Sequence, residues 1–281
     1  MSLAEEHAKG DVLQFDQPVR ILLADDNALN REIAVEAIKR HFEKAIVSEA
    51  INGKEAVDIL QLDDFDIVLM DMQMPEMTGT QATQEIRALK DPRKYSIPII
   101  ALTASATPEE IESALRSGMN GHLGKPFKPR ELASVIATTL HLENITTEIE
   151  TISMHHPTTS DHLIQSENLP DLSFLFEFTE GDRAQMIHFI QKFLEQYPSS
   201  VAEMEIAIAE NDAVTLYRAA HSFRPQLEFV GLNKQAAILL QMEHSARDGG
   251  NMELFTIQVK EMKDALLSLP QAEEWLMISD R

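Results

Sequence analysis

Five residues, each at or just beyond the end of a short apolar run, carry the chemistry this sequence offers. Asp25 and Asp26 close VRILLADD, Asp71 closes FDIVLMD, Thr103 stands near the end of IPIIALTA, and Lys125 follows GHLG. In an open parallel sheet, functional groups gather beyond the carboxyl ends of the strands. Runs that are neighbouring strands therefore bring these distant side chains to one edge. Three carboxylates gathered there repel one another by about 3 kcal/mol per pair at about 5 Å and an effective dielectric of about 20. Such a cluster calls for a cation, and ligation by carboxylates, a backbone carbonyl and waters suits Mg2+. A metal bridging Asp71 to a phosphoryl oxygen neutralises charge, while Lys125 and the Thr103 hydroxyl hold the other oxygens. Asp71 is then the nucleophile that forms an acyl phosphate. A single Asp at a strand end is more often a turn or cap residue; the ordered conjunction of five such residues outweighs that reading.

The elements that must position them are legible over residues 18–143. Apolar runs alternate there with amphipathic segments such as ALNREIAVEAIKRHF, GKEAVDILQL and TPEEIESALRSG. Continuous β-branched runs separated by helical periodicity predict a parallel sheet covered on both faces. Thr107-Pro108-Glu109-Glu110 predicts a helix start, with Thr as cap and Pro as first helical residue. A flavodoxin-like strand order, 2-1-3-4-5, makes the contributing strands neighbours.

Residues 1–17 are polar and predicted to be disordered, and residues 144–168, rich in Ser and Thr, read as a linker. His155-His156 within that stretch has no ligand spacing around it and is not taken as a metal site. From residue 169 to 281 the pattern is helical, with long amphipathic stretches broken at Pro198, Asn211-Asp212, Gly231 and Gly249-Gly250. Short loops between helices of similar length predict an antiparallel four-helix bundle. Phe174, Phe176 and Phe178 read as core packing.

One helix of this half carries a second reactive group. In DAVTLYRAAHSFRPQLEFV, residues Leu216, Ala219, Ala220, Phe223, Leu227 and Val230 form the apolar stripe, and His221 falls off it. Arg218 and Arg224 lie three residues before and after, on the same face. An exposed imidazole between two guanidinium groups is expected, suited to dock on a carboxylate-rich edge. If Gly231 turns a helical hairpin, one of Gln241 to Glu243 lies opposite His221 and fixes its tautomer.

Composition excludes several classes. The 281 residues carry 24 Lys plus Arg against 46 Asp plus Glu, a formal charge of −22 that opposes nucleic-acid binding. Cysteine is absent, so neither disulfides nor Cys-ligated zinc are available. No apolar run approaches the roughly 20 residues that span a bilayer, no Gly-rich ATP loop is evident, and no basic recognition helix is present. A cytoplasmic protein without direct membrane contact is the expectation.

Residues 18–143, through LLADDN, IVLMDMQMPEMTG, ALTA and KPF, resemble the response-regulator receiver family. The resemblance implies a (βα)5 doubly wound α/β fold with Asp71 as phosphoacceptor. It also implies Mg2+ held by Asp25, Asp26, Asp71 and the Gln73 carbonyl, with Asp26 ligating directly and Asp25 mainly through water. Thr103 becomes the switch hydroxyl, Lys125 the phosphate-binding lysine, and Lys125-Pro126 a cis peptide. His122 departs from the aromatic residue common before the leucine of the last strand. Residues 169–268, through AAHSFRPQLEFVGL, resemble the histidine-containing phosphotransfer (HPt) family, which implies phosphorylation of His221 supported by Arg224. Arg224 replaces the commoner Lys, and Pro225 replaces the usual Gly; an interior proline costs about 3 kcal/mol and predicts a local kink.

Together these features predict a phosphorelay module. A phosphoryl group passes from an upstream histidine kinase to Asp71 and between Asp71 and His221 or other receiver and HPt domains, as at the C-terminus of a hybrid sensor kinase. A Mg2+-dependent phosphatase using Asp71 is the rival enzyme reading, opposed by Gln73 where such enzymes place a second acid. A purely structural module is opposed by retention of all five edge residues.

Overall fold

The computed structural model describes residues 18–105, 107–142, 170–247 and 250–279. The segments read as disordered terminus and linker, with His155 and His156, lie outside the described residues. Five strands alternate with helices in the first half: β1 (Arg20–Ala24), α1 (Ala28–His41), β2 (Ile46–Ala50), α2 (Gly53–Leu62), β3 (Ile67–Asp71), α3 (Gly79–Arg87), the short α4 (Pro92–Tyr95), β4 (Ile99–Thr103), α5 (Pro108–Ser117), β5 (Gly121–Gly124) and α6 (Pro129–Thr139). All strand pairings are parallel, in the order β2-β1-β3-β4-β5. This is the doubly wound order anticipated above.

Strand side chains alternate between two cores, as the period of 2 requires. Leu22, Ala24, Val68, Met70, Ile99 and Ala101 pack with Ala56, Val57, Ala82 and Ala114 of α2, α3 and α5. Ile21, Leu23, Ile67, Leu69, Ile100 and Leu102 face the other way, against α1 and α6. Burial on both faces explains why the strands read as continuous apolar runs. The helices start where side chains can accept the orphan N–H groups: Asn27 caps α1, Asn52 caps α2, Thr78 forms a capping box on α3, and Thr107 caps α5 ahead of Pro108.

The second half comprises α7 (Ser173–Phe178), α8 (Arg183–Ala209), α9 (Ala213–Phe229), α10 (Asn233–Arg247), α11 (Met252–Leu267) and α12 (Ala272–Ser279). The four long helices close a ring, each touching its neighbours in the order α8-α9-α10-α11-α8, and α12 packs on α8. Buried Trp275 meets Phe193, which also stacks on Phe223. The core facing α1 and α6 is continuous with this helical core. The two halves are therefore joined by apolar packing as well as by polar contacts.

Two expectations about helix breaks and core packing in the helical half need correction. Pro198 does not divide two helices, because α8 runs through it as one element of 27 residues. A proline removes one i→i−4 bond, and Phe193, Val201 and Met204, buried on either side, hold both parts against the same core. α9 stays helical through Pro225, from Ala213 to Phe229. The Gln226 amide donates to Ser222 O at 3.0 Å within that turn. Phe178 is buried and Phe174 partly so, whereas Phe176 is 59% exposed and belongs to the surface.

Gly231 turns the chain between α9 and α10 with φ +76°, and a Cβ there would stand 2.0 Å from Asp171 O. Its own carbonyl accepts the Asp171 N–H at 3.0 Å. Gly231→Ala is therefore expected to destabilise the helical half by about 2 kcal/mol or more, from the backbone conformation and the clash together. The urea unfolding midpoint, followed by Trp275 fluorescence, measures this.

Candidate functional site at the junction of the two halves

The parallel register delivers the edge residues to one place. Ligand oxygens of Asp25, Asp26 and Asp71 all lie within 4.8 Å of one another. Lys125 Nζ reaches Asp25 Oδ2 at 2.5 Å and Asp71 Oδ2 at 3.1 Å. Asp25 is further held by the Asn27 N–H at 2.9 Å, and its backbone carbonyl accepts from Arg31 at 2.9 Å. The Lys125-Pro126 peptide is cis. Gln73 stands half-buried two residues beyond the end of β3. Gly79, opening α3, packs so closely that a Cβ would lie 2.1 Å from the Asp71 carbonyl oxygen. No larger residue fits without displacing the backbone of Asp71 itself.

Charge balance in this pocket is unfavourable. Burial, with Asp25 and Asp26 adding to it, pushes the Asp71 carboxyl up to about 7 despite Lys125. Burial and Asp25 push Asp26 up to about 6. Burial acts against the Lys125 ammonium, but Asp25 and Asp71 outweigh it and raise its pKa. One lysine is held firmly charged among three carboxylates, two of which resist ionisation.

The helical half covers this edge. Ser222, beside His221, donates to Asp26 Oδ1 at 3.1 Å. Arg224 Nη2 donates to Ala104 O at 2.5 Å and Ser105 Oγ at 2.6 Å, both on the loop after β4. Around the rim, Gln196 accepts from Leu29 N–H at 3.2 Å, His188 meets Glu32 at 2.6 Å, and Lys128 meets Glu177 at 2.7 Å. Arg40 bonds Gln185 at 2.9 Å and the Phe178 carbonyl. A cavity of about 20 Å³, room for one water, remains between Asp25, Lys125, Pro126 and Phe127 on one side and Pro225 and Phe229 on the other.

His221 is 2% exposed, not the exposed imidazole expected, because the α/β half lies over it. The nearby positive charge is also largely matched: Arg224 pairs with Glu243 at 2.7 Å and Glu228 at 2.9 Å, and Arg218 pairs with Glu203 at 2.5 Å. Glu243, at one of the positions anticipated opposite His221, meets its Nδ1 at 2.9 Å. Burial opposes ionisation of Glu243, yet His221 and Arg224 hold its pKa below the ordinary value. The Tyr217 ring stacks on the imidazole at 5.5 Å.

Two buried atoms in this junction have no hydrogen-bond partner among the described residues: Asp71 Oδ1 and His221 Nε2. His221 is near enough to act on the charge of Asp71 across the interface. Of the residues singled out in sequence, Asp25, Asp26, Asp71 and Lys125 meet at one point, and His221 and Arg224 close over them. Thr103 is turned elsewhere: its hydroxyl lies 2.8 Å from Ser105 O and 2.9 Å from Glu110 Oε2. Ser222, Ser105 and Glu228 were not anticipated. Adjacency to His221 signals Ser222, whereas Ser105 acquires a role only through docking of the two halves.

Comparison with known proteins agrees with the first half of this picture. The family described as Response regulator receiver domain matches residues 21–137. That part of the chain is a receiver domain. The chain is 42% identical over 118 residues to the sensor protein GacS of Pseudomonas syringae pv. syringae, covering 42% of this chain and 13% of that protein. The sensory/regulatory protein RpfC of Xanthomonas campestris pv. campestris is 24% identical over 280 residues, covering 93% of this chain and 37% of its own length. Among solved structures, the receiver domain of the sensor histidine kinase PA1611 from Pseudomonas aeruginosa PAO1, with a magnesium ion in its active-site cleft, shares 34% identity. That match has a TM-score of 0.41 and covers 44% of this chain and 99% of that one. The chain thus corresponds to a minor share of the sensor proteins it resembles.

A raised folded-state pKa means the unfolded chain ionises more easily, so Asp71 subtracts stability as pH climbs. The penalty is absent near pH 4, grows towards the folded value of about 7, and then levels off. With divalent ions chelated, Asp71→Asn is expected to match wild type near pH 4 and exceed it at pH 8 by on the order of 2 kcal/mol. Urea titrations at the two pH values compare them.

Proposed function

We propose that this chain is a phosphorelay module in which Asp71 of the receiver domain and His221 of an HPt-type helical bundle exchange a phosphoryl group in cis. The observation that carries the reading is the pair of buried, unpartnered atoms, Asp71 Oδ1 and His221 Nε2, in one interface. Contacts of Ser222 with Asp26 and of Arg224 with the loop after β4 bracket that pair. A buried polar atom without a partner is costly. Two of them, on residues close enough to interact electrostatically, are understandable where a transferable group lies between them.

The acidic cluster fits a divalent cation, since its oxygens converge and one of them, Asp71 Oδ1, lacks a partner among the described residues. Asp25, Asp26 and Asp71, with the Gln73 carbonyl, would hold Mg2+, which when bound supplies positive charge to a phosphoryl group. The protein groups do the rest. Lys125 binds a phosphoryl oxygen and neutralises the leaving carboxylate of Asp71, and Thr103 swings from Ser105 to a second oxygen. Glu243 keeps the proton on Nδ1 of His221, leaving the Nε2 lone pair for phosphorus. As the P–N bond forms, the P–O bond to Asp71 breaks, and the ring's new positive charge is matched by Glu243. Arg224 steadies Glu243.

An upstream histidine kinase is the proposed source of phosphoryl groups, and other receiver or HPt domains are further partners; the similarity to sensor proteins supports this setting. Among the described residues, no helix is long and apolar enough to cross a membrane. With a radiolabelled small acyl phosphate and Mg2+, wild type is expected to end with acid-labile, base-stable label on His221. His221→Gln should hold base-labile label on Asp71, and Asp71→Asn should take up none. Label on neither residue in any of the three chains overturns the assignment.

A further inference from the structure

A single run of hydrogen bonds crosses the interface from the end of β4 to the imidazole. The Thr103 hydroxyl lies 2.8 Å from Ser105 O and accepts from Ser105 N–H at 3.2 Å. The Ser105 hydroxyl accepts from Arg224 Nη2 at 2.6 Å. Arg224 Nε donates to Glu243 Oε1 at 2.7 Å, and Glu243 Oε2 meets His221 Nδ1 at 2.9 Å. Every link is within hydrogen-bond distance, and the three beyond Ser105 are charge-assisted, the stronger kind. The chain joins the residue that must move towards a phosphoryl group on Asp71 to the carboxylate that fixes the tautomer of His221.

We propose that Ser105 is a positioning residue for His221, acting across the interface through Arg224 and Glu243. This rests on the reading that Asp71 and His221 exchange a phosphoryl group. Ser105 touches neither reacting atom. Its hydroxyl, with Ala104 O, holds one end of a guanidinium whose Nε donates to Glu243 at 2.7 Å and whose Nη1 donates to Glu228 at 2.9 Å. Arg224 is 5% exposed, and its planar fork serves all four partners at once. The three rotatable donors of a lysine ammonium leave a single point and cannot span that separation. The arginine at this position thus has a use peculiar to the docked pair: it transmits the placement of the loop after β4 to the imidazole. Without the Ser105 hydroxyl, Arg224 keeps Ala104 O alone on that side, Glu243 loosens, and Nε2 presents its lone pair to phosphorus less often. The bonds made and broken are unchanged: P–N forms at Nε2, P–O breaks at Asp71, and the proton stays on Nδ1.

The test uses the full chain, loaded at Asp71 by a labelled small acyl phosphate with Mg2+, and follows appearance of base-stable label on His221. Ser105→Ala is expected to slow that step about tenfold. Loading of Asp71, measured separately in a His221→Gln background, should be unchanged. Ser105→Thr, which retains the hydroxyl, should restore transfer to within a factor of about two, and Ser105→Val should not. Arg224→Lys should slow transfer, and adding Ser105→Ala to it should slow it little further, because the two act through one contact. Transfer at the wild-type rate in Ser105→Ala, absence of rescue by Thr, or multiplicative effects of the two substitutions would each overturn the proposal. Absence of label on His221 in the wild-type chain, with Asp71 loaded, would instead remove the exchange on which it rests.

Discussion

Lys125 sits between two buried carboxylates, with a third beside them, and the charge left over in that pocket shapes what surrounds it. Burial, together with three carboxylates sharing one ammonium, pushes Asp71 and Asp26 towards their neutral forms. Such an arrangement persists only because packing elsewhere over-determines it. β1, β3 and β4 are apolar on both faces, their register is fixed by two cores, and Gly79 locks the turn after β3 against the Asp71 carbonyl. The fold places unsatisfied charge at the sheet edge and holds it there.

The helical half completes this arrangement. α9 has two kinds of face: one contributes Leu216, Ala220, Phe223 and Leu227 to the bundle, and the other lays Ser222, Arg224 and Pro225 against the receiver domain. Pro225, whose presence in a helix looks like a defect in isolation, lines the small cavity beside Asp25 and Lys125 together with Phe229. The ring fills space at the junction, where a glycine would leave it open. Arg224, nearly inaccessible, is ion-paired with buried Glu243 and with Glu228, so the cation that α9 carries into the interface is matched.

Much of the receiver half was legible because its signals are local and redundant. Apolar runs buried on both faces mark strands, Thr107-Pro108 marks a helix start, and each chemically suggestive residue ends a run. What the sequence could not convey was the environment created by contact between halves. His221 reads as exposed because the helix periodicity sees only the bundle core, whereas its neighbours Ser222 and Arg224 dock on Asp26, Ala104 and Ser105, far away in sequence. Ser105 carries no signal for the same reason. The continuous helix through Pro198 was missed because local propensity weighs the lost hydrogen bond but not the core contacts on either side. Phe176 illustrates the reverse error, an aromatic residue assigned to the core by type that faces solvent.

Asp71 and His221 are each 2% exposed in the same interface, and this governs their kinetics with outside proteins. No macromolecule can reach either group while the halves are together. On the proposed reading, exchange with an external partner waits for the interface to part, and its rate saturates at the frequency of parting however concentrated the partner becomes. Internal exchange belongs to the closed interval and external exchange to the open one. The polar contacts along the rim, Glu32 with His188 and Lys128 with Glu177 among them, then act as a timer that divides the working cycle between the two.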